Sequence, residues 1–322
     1  FTAFVSFFPQ LVAGPIERAT HLLPQFYQKR KFDEHQAKDG LYLIIWGLFK
    51  KIVIADNCAQ YANDIFNNYQ DYSSGTLMLG AVYFAFQIYG DFSGYSDIAI
   101  GTSRLFGFDL MRNFAYPYFS RDIAEFWRRW HISLSTWFRD YLYIPLGGSR
   151  GGMWMKVRNT FIIFLVSGFW HGANWTFIVW GGLNAIYFLP LLIGEKNRNH
   201  IDLIAENTRW PSAREFFSVL VTFVLTVFAW IFFRANNLEH AFDYIGSIFT
   251  FNFGIEKLMI ERFAFEILPL IVVLLIIEWF SRAKEHPLKQ TNYLYVKALG
   301  LIAMILIFGS FSEMQEFIYF QF

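Results

Sequence analysis

Residues 215–233, EFFSVLVTFVLTVFAWIFF, form an apolar run whose one charged residue, Glu215, stands at its first position. A helix that crosses the hydrocarbon core of a bilayer needs about 20 predominantly apolar residues, and this run meets that length. Three more runs of the same kind lie at 174–193, 263–280 and 297–312. The second half of the chain is therefore predicted to contain ordinary membrane-spanning helices.

The first half of the chain contains apolar runs of a different character. They lie at 41–55, 76–90, 92–108 and 159–170, and they are short or carry charge, such as Lys50 and Lys51 in the first run. Such segments are tolerated at membrane depth only where they are buried in protein or line a water-filled cavity. The pattern predicts an all-α, polytopic membrane protein whose unusual structure lies in its first half.

The composition supports a membrane protein and excludes several other classes. The 322 residues are 55% hydrophobic and 16% charged, whereas soluble domains carry about 25% charged residues. A net charge of +1 gives no indication of nucleic acid binding. The single cysteine, Cys58, excludes an intrachain disulfide and a CxxC metal site. No bound cofactor or metal is predicted.

One membrane domain is predicted over residues 1–322, because no linker rich in proline, glycine, serine or charge divides the chain. The sequence opens at Phe1 inside an apolar motif, and we expect further membrane spans to precede it. The longest polar segment, 109–158, holds eight Lys/Arg against four Asp/Glu. The positive-inside rule therefore places much of that segment in the cytoplasm.

An amphipathic helix is predicted inside this polar segment, from about Ile123 to Leu142. Its apolar residues recur at spacings of three and four, a pattern typical of a helix in the membrane interface. Glu125 and Arg129 are spaced to pair on its polar face. His131 lies at the edge of the apolar stripe, where a polar surface meets an apolar one.

His171 is the first candidate for chemistry. It lies in FLVSGFWHGANWTF, residues 164–177, between two apolar runs, and Gly168 and Gly172 on either side allow close backbone approach. An ionisable side chain within membrane-depth sequence is costly and indicates function. A neutral imidazole can take a proton from a hydroxyl near neutral pH. The alternative is a histidine that only caps or packs, and the same alternative stands for His131.

Other polar residues allow both a functional and a structural interpretation. Asp91 and Asp97 could line a passage for a polar substrate, or Asp97 could pair with Arg104 and hold helices in register. Arg128 could meet the phosphates of an acyl donor, or it could contact lipid headgroups. The remaining histidines are assigned to polar loops without a catalytic role: His21, His35, His200, His240 and His286. The sequence contains no P-loop, HExxH, GxSxG or GxGxxG motif.

Four strings, in order along the chain, resemble one known family. They are SFFPQLVAGPIERATHLLPQF (6–26), GDFSGYSDIAIGTSRLFGF (90–108), SRDIAEFWRRWHISLSTWFRDYLYIPLGGSR (120–150) and SGFWHGANWTFIVWGGLNA (167–185). They are similar to the membrane-bound O-acyltransferases, and most similar to the alginate O-acetyltransferase-like bacterial branch. The final EFIYFQF also resembles that branch.

The resemblance implies a site and a fold. His171 matches the family's catalytic histidine in its WHG motif, and His131 matches a second motif histidine that supports catalysis or lines the active site. Substrate-binding residues are expected around them, and these are Asp91, Asp97, Arg128, Trp130, Trp170 and Asn174. The implied fold is a ring of transmembrane and re-entrant helices around a central tunnel.

The resemblance also implies a function in the bacterial inner membrane. An acyl group, most simply acetyl, would pass from a cytoplasmic thioester such as acetyl-CoA towards an extracytoplasmic polysaccharide, with the help of a periplasmic acyltransferase partner. Acylation of peptidoglycan or teichoic acid is the alternative within this chemistry. A transporter or flippase of an acyl carrier, without covalent chemistry, is the alternative from another class.

Overall fold

The described part of the chain is helical. A computed structural model describes residues 1–253, 262–311 and 316–318, and within these ranges it contains no strands. The helices of the first half are α1 (Thr2–Val5), α2 (Ala19–Tyr27), α3 (Glu34–Leu48), α4 (Asp56–Asn67), α5 (Ser74–Leu105), α6 (Ile123–Arg129) and α7 (Ile132–Phe138). Those of the second half are α8 (Gly152–His171), α9 (Trp175–Ile193), α10 (Ala213–Arg234), α11 (Leu238–Ile248), α12 (Arg262–Ser281) and α13 (Leu294–Phe308). The prediction of an all-α fold is confirmed for these residues.

Two helices of the described residues are long and apolar enough to cross a membrane. They are α9 (Trp175–Ile193) and α10 (Ala213–Arg234), and they match the predicted runs at 174–193 and 215–233. A capping box starts α10, because Ser212 and Glu215 satisfy each other's backbone N–H groups. Shorter apolar helical segments, Ile267–Ser281 and Leu294–Phe308, overlap the other two predicted runs, at 263–280 and 297–312.

The apolar runs at 41–55, 76–90 and 92–108 belong to helical elements that are longer than the runs themselves. The runs at 76–90 and 92–108 are one helix, α5, and not two segments. The run at 41–55 continues from α3 through a π-helical segment, Phe49–Ala55, into α4. α3 packs against α5 at a backbone contact, where a Cβ on Gly47 would lie 2.6 Å from the carbonyl oxygen of Gly94. The two helices thus come closer than ordinary side chains allow.

The predicted amphipathic helix from Ile123 to Leu142 is wrong in one respect, because the structure interrupts it. α6 ends at Arg129, α7 begins at Ile132, and His131 between them has a left-handed backbone with φ of 43°. A π-helical segment, Arg139–Tyr143, follows α7. The predicted pair within α6 is confirmed, with Arg129 Nη2 2.6 Å from Glu125 Oε1. The break therefore occurs at the candidate residue itself.

Helices α8, α9 and α10 follow one another with α8 packed on α9 and α9 packed on α10. Residues 172–174 join α8 to α9, and residues 194–212 join α9 to α10. The end of α8, the start of α9 and the end of α10 consequently lie on one side of the molecule. We call it the His171 side, and the side that carries residues 194–212 the Arg121 side.

Candidate active site

His171 is the last residue of α8, and Gly168, about five-sixths of a turn before it, sets its position. A Cβ on Gly168 would lie 2.2 Å from the carbonyl oxygen of Phe177 in α9. A Cβ on Gly172 would lie 2.7 Å from the ring of Phe177. The close approach expected from the sequence at these two glycines is confirmed. It holds the end of α8 directly against the start of α9.

Aromatic rings surround the His171 imidazole. The ring centroids of Trp170, Trp180 and Phe233 lie 5.0, 5.2 and 5.0 Å from its centroid. All three rings meet it edge to face. These rings come from α8, α9 and α10, so three helices fix the orientation of one histidine. An environment of this kind restricts water and favours the neutral, proton-accepting imidazole.

His131 reaches the same region from the break between α6 and α7. A left-handed backbone costs a residue other than glycine about 1–3 kcal/mol and persists only where the surroundings impose it. Here two backbone hydrogen bonds flank the break: Ile132 donates to the carbonyl of Asn113 at 2.9 Å, and Ala115 donates to the carbonyl of Arg129 at 2.9 Å. The imidazole is 4% exposed and meets the ring of Phe92 edge to face.

Both histidines line one cavity of about 130 Å³. Its walls are mainly aromatic and aliphatic, with Ser135 and Ser167 as further polar residues. Its large side chains are Ile88, Phe92, Trp127, Trp130, Leu134, Phe138, Ile163, Phe164, Trp180, Trp230 and Phe233. The cavity extends from His171 back along α8 to Ile163, towards the Arg121 side. A small apolar space with two imidazoles in its wall is suited to proton transfer away from bulk water.

Asn113 is a buried residue that sequence reasoning missed. It is fully buried, and its Oδ1 accepts hydrogen bonds from the backbone N–H and the hydroxyl of Ser133, at 3.2 and 2.6 Å. Its Nδ2 donates to the hydroxyl of Ser96 at 3.0 Å. These bonds connect α5 and α7 through the segment that holds the His131 break. Asn113 lies in a loop without periodic pattern, so no sequence signal pointed to it.

Asp91 and Asp97, two of the expected substrate-binding residues, are paired with lysines of the π-helical segment. Lys51 Nζ lies 2.7 Å from Asp91 and 2.7 Å from Asp56, while Lys50 Nζ lies 2.8 Å from Asp97. Neither aspartate is among the residues that line the histidine cavity. In this structure both occupy buried ion pairs between helices.

The suggested pair of Asp97 with Arg104 is wrong. Arg104 instead pairs with Asp39 at 2.6 Å and with Glu285 at 2.5 Å. It stands at the end of α5, where it meets the start of α3 and the residues that follow α12. The structural role favoured for Arg104 remains, but its partners are on other elements.

Arg128 contacts neighbouring backbone. Its guanidinium donates to the carbonyls of Asn197 and His200, at 2.8 and 2.7 Å. Arg121 strengthens the same attachment, with Nη2 3.1 Å from Asp202 Oδ1. The hydrogen bond from Arg121 holds the pKa of the Asp202 carboxyl below its usual range. The two arginines thus fasten residues 194–212 to α6.

The remaining expected residues divide between two places. Trp130 lines the histidine cavity, and its ring lies 5.1 Å from that of Trp230. Trp170 is not among the residues that line the cavity, but its ring centroid lies 6.4 Å from that of His131 and 5.0 Å from that of His171. Asn174 lies outside the cavity, where it caps α9 and lines a neighbouring pocket.

Four of the other five histidines differ from the polar-loop prediction, and His200 alone fits it. His21 lies in helix α2 and His35 in helix α3. His240 lies in helix α11 with its ring stacked on Tyr69. His286 is fully buried, and its Nε2 lies 3.0 Å from Asp39 Oδ1. None of them lines the histidine cavity. Among the residues described, no group of three or more His, Cys, Asp or Glu side chains is arranged to hold a metal ion.

Comparison with known proteins identifies the family. The sequence model of the membrane-bound O-acyltransferase family matches residues 1–201, which include both histidines. The chain belongs to this family. A probable alginate O-acetylase of Pseudomonas aeruginosa is 42% identical over 252 residues, or 78% of this chain and 46% of that protein. The expected resemblance to this branch is confirmed.

The names of two less similar relatives refer to other polymers. A peptidoglycan O-acetyltransferase of Helicobacter pylori is 35% identical over 347 residues, covering 100% of this chain and 64% of the relative. A teichoic acid D-alanyltransferase of Bacillus subtilis is 26% identical, covering 74% and 61%. This chain spans about half the length of the alginate O-acetylases that it matches.

Proposed function

We propose that this protein transfers an acyl group from a thioester donor to a hydroxyl of a polysaccharide, with His171 as the catalytic base. The observation that carries the proposal is that His171 and His131 share one small, apolar cavity. The family and the three kinds of named relatives support it, since all of those relatives are named as acyltransferases or acetylases of a polymer.

His171 acts at the sugar hydroxyl. Its imidazole accepts the hydroxyl proton as the oxygen attacks the thioester carbonyl carbon. A carbon–oxygen bond forms, the carbon–sulfur bond breaks, and the thiolate leaves with the proton that the imidazolium returns. His131, in the wall of the same cavity, orients the thioester or stabilises its oxygen in the transition state. Trp130 in the cavity wall and Trp170, whose ring contacts both imidazoles, position the reacting groups.

The size of the cavity favours a short acyl group. An engineered cavity of about 150 Å³ lined by aliphatic and aromatic side chains holds a molecule the size of benzene. The histidine cavity, about 130 Å³, is therefore large enough for an acetyl thioester terminus and too small for a fatty acyl chain. Acetyl-CoA, or another acetyl thioester, is the donor that we propose.

The distribution of charge orients the protein in the membrane. Residues 139–158 and 194–212, on the Arg121 side, contain seven Lys/Arg, whereas 172–174 and 235–237, on the His171 side, contain none. The positive-inside rule places the Arg121 side in the cytoplasm. The 22 residues of α10 extend about 33 Å, enough to cross a bilayer of about 30 Å. We place the protein as a multi-pass protein in a bacterial cytoplasmic membrane.

In this orientation the donor enters from the cytoplasm and the acceptor approaches from outside. Residues 1–322 act as one membrane domain, with helices arranged around a tunnel that passes His171. The acceptor is an exopolysaccharide of the alginate type, as the names of the 42–45% identical relatives suggest. A periplasmic acyltransferase partner completes delivery to the polymer. Asp91, Asp97 and Arg128 support the walls of this passage through their pairs.

The test uses membrane vesicles that contain the complete protein together with its proposed periplasmic partner, supplied with acetyl-CoA labelled in its acetyl group and with an alginate oligosaccharide. Mass spectrometry of the oligosaccharide measures ester formation. The proposal predicts acetylated oligosaccharide together with an equal amount of free CoA. Passage of the label or the sugar across the membrane without any ester would contradict the proposal and favour a transporter.

A further inference from the structure

A second pocket lies on the His171 side and has a lining unlike that of the histidine cavity. Its polar residues are Asn63, Asn67, Asn174, Arg234 and Asn236, around a volume of about 600 Å³. Four of these five side chains are amides. The rings of Phe177 and Phe233 also line it. Those two rings are 5.0 Å apart and both contact the His171 ring, so they separate the pocket from the catalytic imidazole.

The described lining of the pocket carries one positive charge and no carboxylate. Arg234 is the one charged residue in its lining as described. Its Nη2 donates to Asn63 Oδ1 at 2.9 Å, and its guanidinium lies over the ring of Phe66 at 5.5 Å. In the described ranges no Asp or Glu carboxylate pairs with it, and its buried Nε has no acceptor. A desolvated cation without an acidic neighbour is costly, and an anionic ligand relieves that cost.

The amides determine what else the pocket can bind. Each asparagine side chain offers two donors and one acceptor with two lone pairs, which suits hydroxyl groups. Asn174 Nδ2 donates to the carbonyl of Asn236 at 2.8 Å, and its Oδ1 accepts from the N–H of Thr176. These bonds fix the rim between the start of α9 and the end of α10. The lining therefore selects a ligand rich in hydroxyls that also carries a negative charge.

The location of the pocket connects it to the reaction. Gly172 and Ala173, which follow His171, form part of its wall. Arg234 ends α10, at the opposite end of that helix from the cationic loops of the Arg121 side. By the charge argument above, this opening faces the outside of the cell. A ligand here is separated from the catalytic imidazole by the rings of Phe177 and Phe233, and it lies on the side opposite to the donor.

We propose that this pocket binds an acidic sugar of the acceptor glycan. The sugar carboxylate pairs with the guanidinium of Arg234, and the neighbouring hydroxyls bind the asparagine amides. This inference rests on the proposed function and adds a binding site for the acidic sugar within the membrane domain itself, with Arg234 as the residue that recognises its carboxylate. Arg234 is a specificity residue in this account and takes no part in the proton transfer.

The test measures binding of a hexameric uronic acid oligosaccharide to the complete protein in nanodiscs by calorimetry. We expect Arg234→Gln to weaken its Kd by about tenfold or more, whereas Arg234→Lys retains part of the affinity. The matched control is Arg209→Gln, which removes the same charge from the exposed Arg209 near the other end of α10. We expect this control to bind within about twofold of the unchanged protein. The hexamer with its carboxyls reduced to alcohols should bind equally weakly to the unchanged protein and to Arg234→Gln.

Two results overturn the inference. In one, Arg234→Gln binds the uronic acid hexamer as tightly as the unchanged protein. In the other, Arg234→Gln loses affinity for acetyl-CoA instead, which assigns the guanidinium to a donor phosphate. Thermal unfolding of each variant identifies misfolded protein, and for such a variant Arg234→Lys alone decides the outcome. If the hexamer binds in a way that depends on Arg234 but no acetyl is transferred, the binding pocket stands and the proposed function is rejected. If acetyl is transferred but hexamer binding does not depend on Arg234, the proposed function stands and the binding pocket is rejected.

Discussion

His131 and His171 face the same cavity, and the indole ring of Trp170 lies 6.4 Å from the first imidazole and 5.0 Å from the second. The two residues reach this position by different routes. His171 ends a regular helix, whereas His131 occupies a left-handed break that Asn113 and its neighbours hold in place. Any change that moves either segment should therefore affect the reaction before it affects the overall fold.

Gly168→Ala tests whether the contact between α8 and α9 positions His171. The new Cβ would lie 2.2 Å from the carbonyl oxygen of Phe177, so the two helices must separate. Overpacking of this kind costs about 1–3 kcal/mol, and we expect acetyl transfer to fall by at least about tenfold. Gly182→Ala is the control on the same pair of helices, because its Cβ would meet the nearest atom, on Leu165, at 3.9 Å. Equal activity of the two variants would contradict the positioning role.

Ile163→Ala tests whether the cavity limits the length of the acyl group. Ile163 lines the cavity at its far end from His171. Its truncation should make room for a butyryl thioester and raise the butyryl-to-acetyl ratio of kcat/KM by about tenfold or more. The neighbouring Ile162 is absent from the lining, so Ile162→Ala serves as the control. An unchanged ratio in Ile163→Ala would show that the acyl group binds elsewhere.

Asp97→Ala distinguishes a structural carboxylate from one that binds substrate. Its removal leaves the buried ammonium of Lys50 without its ion-pair partner, and breaking such a pair costs about 3–5 kcal/mol. We expect a lower thermal unfolding temperature with an unchanged KM for the acceptor in the protein that remains folded. The exposed Asp71→Ala should alter neither quantity. A raised KM for the acceptor with an unchanged thermal unfolding temperature would indicate that Asp97 binds substrate.

Cysteine labelling in intact cells tests the orientation of the membrane domain. Ala173→Cys places a thiol on the His171 side, and Asn207→Cys places one on the Arg121 side; both positions are exposed. The native Cys58 is fully buried and should not react. A membrane-impermeant maleimide is expected to label Ala173→Cys from outside, and Asn207→Cys only after permeabilisation. The reversed labelling pattern would contradict the proposed orientation, because the His171 side would then face the cytoplasm.

The sequence was sufficient to predict those features that depend on residues close together along the chain. The spans α9 and α10 follow from apolar length, and the family motifs identified His171 and His131. The partners of Asp91 and Asp97 were missed because the lysines that pair with them belong to another helix. The apolar stripe runs through the break at His131 without interruption, because the break depends on hydrogen bonds to Asn113 and Ala115 and not on local propensity.

The most direct measurement compares His171→Ala with the unchanged protein in membranes of cells that express the complete chain at equal levels. Transfer of radiolabelled acetyl from acetyl-CoA to polysaccharide is followed, with His200→Ala as the control in a loop away from the cavity. Loss of a general base predicts a decrease of about 10²–10⁴-fold, with the variant still folded and membrane-inserted and the control unaffected. Undiminished transfer by His171→Ala would contradict the account, because His171 would then be a packing residue.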